Sequence, residues 1–457
     1  MNSDDIAHLS YLCNVIVQTQ EYTKEFPKLL IKYSDFLLTS SSSDPNSTKP
    51  DANFQALIMV MSKLAIVSYN ILPDSVFHQL FRSIVAFNLH YFSISKEEYT
   101  RFIDEWPVSF SKNYIFSILN NFFPKIEKKK IIAEFSISTL LLYVYFSNKP
   151  STNPFLKVFE DFFTVDCYTP IFDALQVSIS TSAFSVLLFY TLITQCVNFK
   201  SYCLSCVDTS WIFSLIEPIV NNLDSNSNEI AEIRLNILLI FTEDAEFSNS
   251  ISKNPNGSAL KIINILLSVI KHFIHNQKPK SIIVITSLSI MANLAQKISG
   301  FDAQTSDSIF TLLNFLFKNF GQDNHYMEYM RLLIAFIEAI SIHRMRSNAE
   351  LIYAVVRQFE IIEKINSIPN LKNDFKRSLD NLFKLRNFLD ANVIKKNPKV
   401  FVYNKMLSLI STCIDTWNTD NFFQVSSFPT FTYVSNELTK SLNFFRVAVV
   451  KEIQCIL

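Results

Sequence analysis

From residue 259 onward, apolar residues recur along the chain at alternating steps of three and four. Ala259, Ile262, Ile263, Leu266, Val269, Ile270 and Phe273 keep this rhythm, with Lys261, Asn264, Ser268 and Lys271 between them. Each residue advances roughly 100° around an α-helix, so such spacing gathers the apolar set on one side and the polar set on the other. The rhythm returns in Ile309, Phe310, Leu312, Leu313, Leu316, Phe317 and Phe320. Thr305 or Ser306 is suited to cap that helix, and Gly321 stands just past its end, where a left-handed residue is wanted. The same reasoning predicts helices over 183–200, 211–222, 230–241, 281–298, 326–342, 349–365 and 371–391.

Successive helices start about 20–25 residues apart, so two occupy roughly 40–47, the repeat length of HEAT and armadillo arrays. One such helix cannot bury its apolar face alone, whereas stacked neighbours form a continuous core. The repeats share no consensus that aligns. The expected fold is therefore all-α: an irregular armadillo/HEAT-like α-solenoid of stacked helical hairpins.

Two polar stretches divide the chain. Residues 1–38 predict N-terminal helices, and 39–54, with its serine run and Pro45, reads as a flexible linker. Residues 55–146 form an N-terminal helical region, 147–155 a loop holding Pro150 and Pro154, and 156–457 the helical solenoid. Asn46-Ser47-Thr48 is a glycosylation sequon that has no meaning without a secretory route.

Composition sharpens the fold class. The chain has 457 residues and 49% apolar content, yet only three glycines, Gly257, Gly300 and Gly321. Sandwiches, barrels and doubly wound sheets need glycine wherever the backbone takes positive φ. Helical hairpins manage their connections with Asn, Ser, Asp and Pro, which are plentiful here. Charge is balanced at 41 basic and 41 acidic residues, with no global basic excess of the kind a nucleic-acid binder carries. Seven scattered cysteines in apolar surroundings fit reduced, buried thiols rather than a disulfide framework. The start has no basic region leading into an apolar run, so no secretory signal is expected, and Asn2 stands where N-myristoylation requires glycine.

Residues 174–199 carry no charge and are long enough to cross a bilayer. However, Gln176, Ser178, Ser180, Thr181, Thr191, Thr194, Gln195 and Asn198 interrupt them, and the apolar part proper, 183–193, is too short. Residues 131–146 are similar, with Glu134 near their start. Both read as buried helices rather than transmembrane spans.

Candidate chemistry is sparse. Cys203-Leu204-Ser205-Cys206 is a CxxC, but no second pair or His pair follows at zinc-site spacing. Two thiols at a helix end explain it. His272 and His275 can share a helix face, yet they lack HExxH spacing and nearby carboxylates. Thr242-Glu243-Asp244-Ala245-Glu246 gathers three carboxylates that suit general acid–base work, but no nucleophile accompanies them. The plainer reading is a loop whose Thr or Asp side chains bond backbone groups between two helices. The glycines are too far apart for a phosphate cradle. Lys125, Lys128, Lys129 and Lys130 form the densest basic cluster, and Lys395, Lys396 and Lys399 form another. Such clusters attract anionic lipid at about 1 kcal/mol per residue, and a solvated helix end explains them equally. Lys125, Lys128, Lys129 and Lys130 are the candidate membrane or partner contact. No catalytic residue, cofactor, metal, nucleic acid or small-molecule substrate is expected, and the chain is expected not to be an enzyme.

Four ordered segments carry a family resemblance. Leu187-Leu188-Phe189-Tyr190-Thr191-Leu192 leads to Phe199-Lys200-Ser201-Tyr202 and Asp208. Ile237-Leu238-Leu239-Ile240-Phe241-Thr242-Glu243-Asp244, with Phe247 and Ile251, is similar to the family's apolar helix running into a Thr-Glu-Asp loop. Met291-Ala292-Asn293-Leu294-Ala295 resembles an Ala-Asn pair within a family helix, and Asn348, Leu351, Tyr353, Ala354 and Phe359 match an Asn-x-x-Leu-x-Tyr-Ala helix. The segments follow the order of the dymeclin family, which they resemble, and the resemblance covers roughly residues 165–395. The resemblance implies a peripheral Golgi protein that shuttles with the cytosol, meets protein partners of the trafficking machinery, and supports Golgi organisation and vesicle traffic. Membrane contact would then run through partners or the lysine cluster. The alternative is another cytosolic armadillo-like adaptor, in nuclear transport or signalling.

Overall fold

The computed structural model describes residues 141, 165–206, 208–221, 228–253, 258–276, 282–397, 402–417 and 431. The predicted linker, 39–54, and the loop, 147–155, lie outside the described residues. Among the described residues the protein is all-helical, with fourteen α-helices and no strand. These residues divide into two compact units at the step from Cys203 to Leu204.

The first unit contains helices α1 (Val165–Ser178) and α2 (Ala183–Gln195) and most of α3 (Val197–Ser205). The single helix predicted over 183–200 is thus two, bent by 107°. Cys196 sits between them in extended backbone, at φ −119° and ψ 95°. Just before it, Thr191 and Thr194 donate their hydroxyls to the carbonyls of Leu187 and Tyr190, each at 2.8 Å. Hydroxyls that bond the carbonyl four residues back bend helices and loosen their continuation. The bend returns Phe199 and Tyr202 onto α1, where they meet Tyr168 and Phe172 at ring distances of 5.5–6.4 Å. Tyr202 also donates to the Thr169 hydroxyl at 2.9 Å.

The uncharged stretch 174–199 is therefore split among three helices. Among the described residues no single helix is long and apolar enough to cross a membrane. Together α2 and α3 pass that test by length and composition, but α2 is buried within the protein at every position from 184 to 193.

The second unit holds α4 (Trp211–Asn221), α5 (Asn228–Thr242), α6 (Ala245–Lys253), α7 (Ser258–Asn276), α8 (Ile282–Leu294), α9 (Ala303–Asn319) and α10 (Asn324–His343). It continues through α11 (Ala349–Arg357), α12 (Phe359–Ser367), α13 (Pro369–Leu389) and α14 (Tyr403–Asp415). Side-by-side packing sorts most of these into two rows. One row runs α5, α8, α10, α13, and the other runs α4, α7, α9, α11, α14. The rows are joined by the pairs α4–α5, α7–α8, α9–α10 and α11–α13.

Individual helices differ in how far they are buried. In α8 no residue is charged, and Thr286, Ser287, Leu288, Ser289, Ile290, Met291 and Ala292 are all buried in succession. In α5 every residue from 233 to 242 is buried. A helix covered all round must be apolar or internally satisfied all round. In α7, by contrast, Lys261, Asn264 and Ser268 face solvent, as the three-four spacing predicts.

Three local features depart from the sequence reading. Asp302, not Thr305 or Ser306, caps α9, accepting from the Thr305 amide at 2.6 Å. Thr305 lies inside the helix, buried, and donates to Asn264 Oδ1 of α7 at 2.8 Å. Gly321 does not take the left-handed conformation; among the described glycines Gly300 does, at φ +82°. The helix predicted over 349–365 breaks at Gln358 (φ −107°, ψ 22°), whose Nε2 donates to Asp307 of α9 at 3.2 Å.

Candidate functional site

Among the described residues the candidates named from sequence stand on different helices or at their ends. Lys125, Lys128, Lys129 and Lys130 lie outside the described residues, as does Lys399. Lys395 and Lys396 are exposed just past a π-turn, Asp390–Ile394, that continues α13. Cys203 is buried near the end of α3, and Cys206 is half-buried just past it. His275 sits near the end of α7 with Nδ1 2.7 Å from the Lys271 carbonyl, and its ring lies 4.7 Å from Phe315. Among the described residues no group of three or more His, Cys, Asp or Glu side chains is placed to hold a metal ion.

The acidic loop resolves into capping geometry. Asp244 accepts from the Phe247 amide at 2.8 Å and so starts α6. The Thr242 hydroxyl donates to the Leu239 carbonyl, and the Thr242 carbonyl accepts from the Ser248 hydroxyl at 3.1 Å. Each group satisfies backbone that a helix end leaves open.

Polar side chains inside the second unit act on main chain or on each other across helices. Pro218 lies within α4 and has no amide hydrogen, so the carbonyl of Ser214, four residues earlier, loses its helical donor. Arg234 of α5, almost wholly buried, supplies one: its Nη1 donates to Leu215 O at 2.8 Å and to Ser214 O at 3.4 Å. Asn348 is buried between loops, donating to the carbonyls of Ile298 and Arg344 at 2.9 and 3.0 Å and accepting from the Phe301 amide. In the same junction Gly300 donates to the Ser347 carbonyl at 3.0 Å. Glu338 of α10, only 3% exposed, accepts from Asn381 Nδ2 at 2.6 Å and from the Ser378 hydroxyl, both on α13.

Electrostatics single out few groups. Burial on α5, with Glu229 one turn earlier, pushes the Glu232 carboxyl up to about 7. Burial and the nearby Lys297 and Arg344 charges hold His343 below the usual imidazole range. A hydrogen bond to Glu350 pushes the Tyr403 phenol up to about 12. None of these stands beside a group it could activate as a nucleophile among the contacts described.

Sequence reasoning passed over one geometry. Asn293, near the end of α8, donates from Nδ2 to the carbonyl of Phe431 at 2.8 Å, and its Oδ1 accepts from the amide of the same residue at 2.8 Å. The orientation of the amide is set by its partners, since only its oxygen can face an N–H. The Ala292-Asn293 pair was visible in the sequence, but nothing local pointed to a partner 138 positions away.

A family model described as Dymeclin: Dyggve-Melchior-Clausen syndrome protein matches residues 8–452, nearly the whole chain. The match extends well beyond the segments 165–395 from which the resemblance was read. No solved structure matches the chain.

Proposed function

The chain belongs to the dymeclin family, and from that membership we propose that it is a non-enzymatic peripheral scaffold supporting Golgi organisation and vesicle-mediated traffic. The observation that carries this reading is the family match over residues 8–452. In this reading the protein works from the cytoplasm, attached peripherally to Golgi membranes and to protein partners of the trafficking machinery.

The proposed architecture within the second unit is an irregular armadillo/HEAT-like solenoid. Its support is the two-row packing, in which successive helices of a row meet and every helix but α14 meets a helix of the other row. Stacked rows of this kind present extended surfaces to partners. Polar groups that join helices or grip main chain, such as Arg234, Glu338 and Asn348, are what a binding scaffold needs to hold its shape. Membrane contact through Lys125, Lys128, Lys129 and Lys130 is part of the same proposal.

The test is localisation of the tagged full chain in living cells. Coincidence with a Golgi marker, and redistribution when the Golgi is dispersed, are the expected results. A purely nuclear signal, or one indifferent to Golgi dispersal, would sink the reading.

A further inference from the structure

We infer that Lys297, His343 and Arg344 form a binding site for a phosphomonoester dianion, where the loop after α8 meets the end of α10. This goes beyond the Golgi reading and does not depend on it, because purified protein alone can test it.

Main chain sets the positions. Arg344 donates from Nε to the Gln296 carbonyl at 2.8 Å, which draws it against the residue before Lys297. His343 precedes Arg344 as the last residue of α10. Asn348 grips the Ile298 carbonyl, 50 positions away, and the Arg344 carbonyl, while the Gly300 amide donates to the Ser347 carbonyl at 3.0 Å. Both loops are thereby tied together before any ligand arrives, and a site held in advance loses less freedom on binding. His343 is exposed, and Lys297 and Arg344 are half-buried, so solvent reaches all three.

The charge gathered there has no counter-charge. Among the described residues neither these three nor Arg346, exposed two residues on, makes an ion pair. Asp302, in the same loop as Lys297, caps α9, and Glu338, whose charge also reaches His343, is buried and bonded to α13. Burial, and then the charges of Lys297 and Arg344, hold the His343 imidazole below its usual range, so the three groups share one field. Cations at a helix end commonly serve its last carbonyls. Here the Leu294 carbonyl already takes the Lys297 amide, and the Ile340 carbonyl takes the Arg344 amide, each at 2.9 Å. Each helix end contributes about half a negative charge, so two ends offset only one of the three permanent cations. A dianion balances the remainder, whereas a single carboxylate does not. With its Nε committed, Arg344 keeps its Nη groups for the oxygens of a phosphate, and Lys297 adds a point charge.

The experiment titrates the full chain with glycerol 3-phosphate and follows the phosphorus resonance by NMR. Saturable binding is expected, with sulfate competing and acetate at equal ionic strength not competing. Lys297→Gln should weaken binding roughly tenfold. Arg344→Lys keeps the charge but loses the planar fork, and it should weaken binding as well. Thermal melts confirm that both variants are folded. Absence of saturable binding, equal competition by acetate, or affinity unchanged in both folded variants overturns the proposal.

A second arm identifies the source of the phosphate. The full chain is sedimented with phosphatidylcholine vesicles that carry phosphatidic acid, whose headgroup is a phosphomonoester, or phosphatidylserine at equal total charge. Preference for phosphatidic acid that is lost in Lys297→Gln supports the site with a lipid headgroup as ligand. Binding of glycerol 3-phosphate without that preference supports it with a soluble phosphate.

Discussion

Glu338 puts a carboxylate in the middle of an apolar helix, where an unpaired charge would be costly. It is tolerated because Ser378 and Asn381 bring two donors from α13. Asn381→Ala leaves that carboxylate with one donor fewer and should cost about 1–3 kcal/mol in urea unfolding. Glu338→Leu in the same background should recover part of the loss, because the stranded acceptor is then gone. If the two substitutions simply add, the side chains are not coupled. Ser287 is the opposite case, since its buried hydroxyl finds no hydrogen-bond partner among the described residues.

Glu232 adds a pH dependence. Its folded-state value, about 7, lies above the ordinary 4.5, so the fold favours the protonated form. Its contribution is fully present below the ordinary value and is lost as pH rises through the folded one. Glu232→Gln should therefore be more stable than the parent at pH 8 by about 1–2 kcal/mol and nearly equal to it at pH 4, read from paired denaturation curves. A constant difference across that window would rule out this carboxyl as its source.

At the scale of helices, the contrast between the buried α8 and the half-exposed α7 sets tolerance to change. Leu288 in α8 is fully buried, and Leu288→Ala should cost about 2–5 kcal/mol by leaving a cavity. Lys261 in α7 is exposed, pairs with Glu217 and lies 4.3 Å from the centre of the Phe213 ring. Lys261→Ala should cost under about 1 kcal/mol, because solvent screens such pairs. Thermal melts of the two variants compare them directly. The helices themselves were largely legible, because three-four spacing is a local property of the chain. The breaks at Cys196 and Gln358 were not. At the first, Thr194 bonds back four residues just as Thr311 does inside an unbroken helix, so its sequence neighbourhood marks no break, and the second sits where a side chain reaches Asp307 on another helix. The cap of α9 was misplaced by one turn because Thr305, a good cap by type, instead bonds Asn264 of α7.

For the molecule as a whole, the membrane reading rests on Lys125, Lys128, Lys129 and Lys130. Changing all four to Gln should weaken co-sedimentation with vesicles rich in anionic phospholipid, at about 1 kcal/mol per lysine. The effect should shrink in high salt. Unchanged sedimentation would move any membrane contact away from these lysines. The candidate sites were legible to unequal degrees. The acidic loop's capping role followed from residue type and position, and Asp244 fills it. The pairing of Asn293 with Phe431 could not be read, because one asparagine in an apolar helix looks the same whether or not a distant segment meets it.

By itself the sequence determined the helical class and much of which helix faces are apolar. Periodicity and glycine scarcity are local properties of the chain, and the ordered segments that carry the family resemblance are equally local. The tertiary structure decided which carbonyl each buried donor would serve: Arg234 on those of Leu215 and Ser214, the latter freed by Pro218, Asn348 between loops, Asn293 on Phe431. Those pairings join residues from 4 to 138 positions apart. Most are long-range, and only packing brings such groups within hydrogen-bond reach, so no local pattern records them.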